Sequence, residues 1–258
     1  MWMWPKNKSH AKWIVSGAIV FLATGLGLIF FSPDESAESF SQFIQADWIE
    51  LDRIDSISKF RSGSGHDFSQ GTGETCRSMK HYFNVPHTEE SERLGKQNNF
   101  LPPAPDGKND IKIYSPVDGK IVRIEKEQTT GGQIYIEPTN APKYTVRLFH
   151  IYELDGIKKG SKVTAGQQIG VIGQYQNTDI AIEKRKGFNP NFISYFEVMP
   201  DSIFTKYQAR GVKSRDELIY SKEYRDANIL KCNGEWFTTN YDSDPNSKNF
   251  VFLTGYKQ

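Results

Sequence analysis

Between Ile111 and Gly173 the chain is cut into short apolar segments separated by turn residues. IKIYSPVDGKIVRIEKE reads as strand, turn, strand, with Asp118-Gly119 as the turn. GGQIYIEPTN is a strand that stops at Pro138. KYTVRLFHIYEL alternates with a period of two, which predicts Tyr144, Val146, Leu148 and His150 on one face. GIKKGSKVTAGQQIGVIG is a loop and a strand punctuated by Gly160, Gly166, Gly170 and Gly173, and ISYFEVM is a further strand. Regular short strands with glycine-rich turns predict an all-β sandwich or barrel. The aromatic content of 13% suits it, because large rings fill β cores. A formal net charge of +1 gives no electrostatic reason to expect a nucleic-acid partner.

The flanks are different. Residues 13–31, WIVSGAIVFLATGLGLIFF, carry no charge and would span roughly 28 Å as a helix, close to a bilayer core. Lys6, Lys8 and Lys12 precede the run, and Asp34, Glu35 and Glu38 follow it. By the positive-inside rule, residues 1–12 are a cytoplasmic basic tail and 13–31 a transmembrane signal-anchor helix. Everything after it is then periplasmic or extracellular. A cleaved signal peptide is the other reading, and it gives the same compartment. Residues 32–44 read as a spacer. Trp48, Ile49, Leu51, Ile54 and Ile57 suggest a short entry helix, and 84–110, with Pro102, Pro103 and Pro105, a surface loop insertion. Residues 201–258 read as a mainly helical extension packed on a β domain of 45–200, with Ser214 as an N-cap and a last strand in KNFVFLTGY. Cys76 and Cys232 are the two cysteines. Outside the cytoplasm they form one disulfide; two buried thiols is the alternative.

The stretches IYSPVDGKIVRI and RLFHIYELDGIKKGSKVTAGQQIGVIG resemble the lysostaphin-type zinc endopeptidases and their duplicated-hybrid-motif fold. Ser115-Pro116, Gly119, Phe149-His150 and the glycine run carry the likeness through 111–173. No lysine sits in the Met-Lys turn of a lipoyl or biotinyl carrier. The resemblance implies a two-sheet β core with peripheral helices, and a zinc held by an H-x-x-x-D pair and the second histidine of H-x-H. Such a site leaves one position open for a water that the metal activates.

This chain departs from that pattern. If Asp67 is the carboxylate ligand, Gly63 stands where the histidine belongs; if His66 is the histidine, Gln70 stands where the aspartate belongs. The H-x-H position falls on Asp179-Ile180-Ala181 or on Ile193-Ser194-Tyr195. His150 alone matches a family histidine, in a proton-handling position, and is the catalytic candidate. His66, Asp67, His81 and Asp179 are the candidate metal ligands, with zinc the cofactor a rebuilt site would take. Arg77 and Lys80 read as solvated surface charges, and Tyr195 as a core aromatic. The expectation is a membrane-anchored envelope protein with a divergent, non-catalytic peptidase-like domain. Its partner would be a cell-wall peptide, peptidoglycan or an envelope protein. The alternative is an active zinc endopeptidase with a rebuilt metal site.

Overall fold

The computed structural model describes residues 41–86, 101–104, 110–186, 189–242 and 248–255, with 88, 89 and 93 as single positions. The basic tail, the 13–31 helix and most of the 84–110 insertion lie outside the described residues. No helix among the described residues is long and apolar enough to cross a membrane.

The strands in chain order are β1 Ser56–Ser58, β2 His81–Asn84, β3 Ile111–Tyr114, β4 Gly119–Lys126, β5 Gly132–Pro138, β6 Tyr144–Glu153 and β7 Lys162–Val163. They continue with β8 Gln168–Ile172, β9 Thr178–Lys186, β10 Asn189–Ile193, β11 Cys232–Asn233, β12 Trp236–Phe237 and β13 Phe250–Phe252. Two helices, α1 Asp201–Gln208 and α2 Lys222–Ala227, follow the main β region. The sheet runs β13-β1-β2-β9-β6-β5-β4-β7, every pair antiparallel. β10 pairs with β9, and β8 pairs with both β3 and the end of β6. The expected mostly-β architecture is present, but the two anticipated sheets are one network joined through β6.

Period-two alternation explains the layers. On β6 and β9, Tyr144, Val146, Leu148, Ile180 and Ile182 face the main core with Trp48, Ile113, Ile121 and Phe196. Phe149 and Ala181 face the other way, into a smaller cluster with Phe60, Met79 and Phe192. The sheet is therefore buried on both faces where these strands meet, and a charged group there needs a partner.

Three expectations change. The entry helix is a single 3-10 turn at Leu51–Arg53 followed by β1, because after Leu51 the buried Ile54 and Ile57 reach the core from extended chain. ISYFEVM is a compact turn after β10: the Ser194 N–H donates to Glu197, and the Phe196 N–H to the Ser194 hydroxyl. Ser221, not Ser214, caps a helix, accepting the Tyr224 N–H at 3.0 Å.

Cys76 and Cys232 form a disulfide, which ties the β11–β12 hairpin to the loop ahead of β2. Beside it, Arg77 pairs with Glu74 at 2.8 Å and Asp226 at 2.7 Å. Tyr195 is buried, its hydroxyl near Asp47, which also accepts from Tyr207 at 2.7 Å.

Candidate functional site

Strand register assembles the site. Asp179 on β9 stands opposite Phe149 on β6 and Tyr82 on β2. The three neighbours point to one face, and Lys80, two residues before Tyr82, points there too. The Lys80 Nζ lies 2.5 Å from Asp179 Oδ2, with both side chains buried. Its ammonium also stands over the rings of Phe149 at 4.1 Å, Phe68 at 4.7 Å and Tyr82 at 5.1 Å. Reading Lys80 and Arg77 as solvated charges is thus corrected. Both are 2% exposed, because each has carboxylate partners within the fold.

His150 reaches the same carboxylate from β6. Strict alternation would put it on the core face with Leu148. Instead β6 carries an extra residue against β5, where Ile134 pairs Leu148 and Gly132 pairs Ile151, and His150 takes the left-handed φ of 64°. The bulge turns the ring toward the Asp179 side. The Gln176 side-chain amide donates to the His150 carbonyl at 2.8 Å, and the Thr178 hydroxyl to the Phe149 carbonyl at 2.6 Å. Gly131, at φ 84°, passes so close that a Cβ there would stand 2.5 Å from the Ile151 carbonyl oxygen.

Both ring nitrogens of His150 face carboxylates: Nδ1 is 2.6 Å from Glu127 Oε2, and Nε2 is 3.2 Å from Asp179 Oδ1. The two contacts to Asp179 are ion pairs by distance, without hydrogen-bond alignment. Burial opposes a charge on His150, but Asp179 and Glu127 outweigh it and raise the ring to about 9. Burial also works against ionisation of Asp179, and Lys80 with His150 reverses this and holds the carboxyl well below its usual range. At neutral pH the cluster is Lys80⁺, Asp179⁻, His150⁺ and Glu127⁻, two charges of each sign.

Of the residues singled out by sequence, His150 and Asp179 come together. His81 does not join them. It pairs Ile180 and so points to the opposite face, where its Nδ1–H donates to the Ser58 carbonyl and its Nε2 accepts from the Ser194 hydroxyl, each at 2.8 Å. Burial drives that ring down to about 4, so it is neutral. His66 lines a separate cleft with Arg123, Tyr135 and Arg147, its ring 5.9 Å from those of Phe68 and Trp236. Asp67 organises its own loop, accepting from the Ser69 N–H at 2.9 Å and the Arg77 N–H at 3.1 Å. Glu127 is the site residue that sequence reasoning passed over, and Lys80 and Tyr82 carry little signal of their role. A lysine two residues ahead of a β-strand tyrosine is a weak signal, and Glu127 carries none.

His150, Asp179, Tyr82, Asn84, Thr130, Gln176, Asn177 and Asp242 line an open cleft of about 470 Å³. Gly65, at φ 68°, forms part of its wall, and a Cβ there would meet the Tyr82 hydroxyl at 2.1 Å.

Residues 103–188, which contain β3 to β9 and the His150–Asp179 pair, match the family model described as Peptidase family M23. The chain carries a peptidase family M23 domain. Comparison with curated proteins returned no match. Among solved structures, this chain is similar to LytM from Ruminococcus gnavus, at 15% identity over 62% of this chain and 61% of that one, TM-score 0.40. Helicobacter pylori Csd3 matches at 16% identity over 82% and 47%, TM-score 0.39. The catalytic domain of lysostaphin from Staphylococcus simulans matches at 15% identity over 55% and 90%, TM-score 0.32. The matched region spans less than two thirds of the first two of these proteins.

A zinc site needs imidazole lone pairs and carboxylate oxygens converging on one point with a position left open. The side chains of this M23 domain do not fit that requirement as arranged. His150 has a carboxylate at each nitrogen and is protonated, so it offers no lone pair. Asp179 is engaged by an ammonium at 2.5 Å, and Ala181 occupies the second histidine position of the register that starts at Asp179. Among the described residues, no group of three or more His, Cys, Asp or Glu side chains is placed to hold a metal.

Proposed function

We propose that this protein is a membrane-anchored, extracytoplasmic binding protein whose M23 domain engages a cell-envelope polymer or an envelope protein partner without cleaving it. The observation that carries the reading is the closed charge cluster. The Lys80 ammonium lies on Asp179 where a metal-bearing site would need a free carboxylate, and His150 is pinned between Asp179 and Glu127. Hydrolysis by this family's chemistry requires a metal-activated water and a proton-accepting imidazole. A ring protonated up to about pH 9 does not accept a proton at neutral pH. What remains is a cleft rich in amide and hydroxyl groups, flanked by Phe250 and Phe252, which suits recognition of a polar peptide-like chain.

The uncharged 13–31 run and its lysine-rich flank support the anchor and the compartment. The Cys76–Cys232 disulfide supports an oxidising environment.

The test is co-sedimentation of the full chain with purified peptidoglycan, with soluble peptide products followed by mass spectrometry. The reading expects retention that survives chelator, with no fragments released. Chelator-sensitive release of fragments would establish the alternative, an active zinc-dependent endopeptidase with a rebuilt site.

A further inference from the structure

The surroundings of Lys80 are more specific than a buried counter-charge requires. Its ammonium has one carboxylate oxygen at 2.5 Å and three aromatic rings within 5.1 Å. The rings come from three separate parts of the chain: Phe149 on β6, Tyr82 on β2, and Phe68 from the loop between β1 and β2. Ring faces and a carboxylate around a desolvated point are the chemistry that selects an organic ammonium ion. A compact ammonium on a thin alkyl stem meets it, whereas a planar guanidinium is a poorer match.

We propose that this box is a primary-ammonium receptor, which the chain fills with its own Lys80. Occupied in this way it needs no metal. The proposal rests on the same cluster as the proposed function, but says nothing of what the cleft binds. The ligand class, once the tether is cut, is a primary alkylammonium as long as the stem removed.

Lys80→Ala in the full chain removes the equivalent of n-propylamine. Its thermal unfolding would be followed against n-propylammonium, 1-propanol and tetramethylammonium. Saturable stabilisation by n-propylammonium alone, with no such response in the wild type, is the expected result. Equal stabilisation by 1-propanol, an equal response of the wild type, or a folded variant that ignores n-propylammonium would overturn the proposal. A second measurement covers poor folding of that variant: the cycle Lys80→Met, Asp179→Asn and the double variant. The double variant is expected to fold at least tenfold better than the product of the single effects. Strict additivity would overturn the ion-pair basis of the box. Failure of the proposed function would appear separately, as peptide release by the wild type.

Discussion

Asp179 is fully buried and faces two cations, Lys80 and His150. Removing one member of a buried ionic group leaves the others uncompensated in low dielectric, a loss of about 3–5 kcal/mol. Asp179→Ala is therefore expected to destabilise the chain by that order in denaturant unfolding, and Asp179→Asn by less, since it keeps the shape. The two buried histidines predict opposite pH limbs. His150 is raised to about 9, so its contribution is fully present below about 6.5 and is lost as pH rises through about 9. His81 is lowered to about 4, so stability falls as pH drops from about 6.5 toward 4, where the buried ring must take a proton. Stability measured against pH should fall on both sides of about 6.5, and His150→Gln should flatten the alkaline limb only. His150 was legible in the sequence through its likeness to the family's histidine strand, and Asp179 only because one of the two alignments of the H-x-H position falls on it. Lys80 was not, because its burial follows from strand register and three rings that are distant in sequence.

The decisive device among the elements is the bulge in β6. Alternation along KYTVRLFHIYEL assigns His150 to the core side, and one extra residue reverses that. A bulge adds a single residue to an otherwise regular pattern, so periodicity alone does not reveal it. Gly131 is its trace in the sequence, since only glycine lets the chain entering β5 approach the displaced Ile151 backbone. Gly131→Ala is expected to push β5 from the bulge, destabilise the fold by about 1–3 kcal/mol and loosen the His150–Glu127 contact. That contact would be read from the ring resonances of His150 by NMR. The Cys76–Cys232 bridge spans 156 residues of sequence. The chain-entropy account gives such a closure up to roughly 5 kcal/mol. Replacing both cysteines by serine should lower stability toward that limit, and a change below about 1 kcal/mol would mean the unfolded chain gains little freedom.

At the scale of the molecule, the β strands between Ile111 and Gly173 were readable because apolar residues recur there with period two between turn residues. The ends were less so. The entry segment 46–60 holds apolar residues at mixed spacing, and tertiary contacts from Trp48, Ile54 and Ile57 draw it into extended chain and β1. ISYFEVM has the composition of a strand, but the Ser194–Glu197 and Ser194–Phe196 hydrogen bonds close it into a turn. The strand framework of the M23 domain thus brings His150 and Asp179 together, while the chain's own cation, Lys80, lies on that carboxylate. The most direct measurement is the zinc content of the purified full chain, by elemental analysis after loading with zinc and removal of excess. The closed cluster predicts far less than one zinc per chain, unchanged in Asp179→Asn. About one zinc per chain, lost in Asp179→Asn, would contradict it and return the site to metal chemistry.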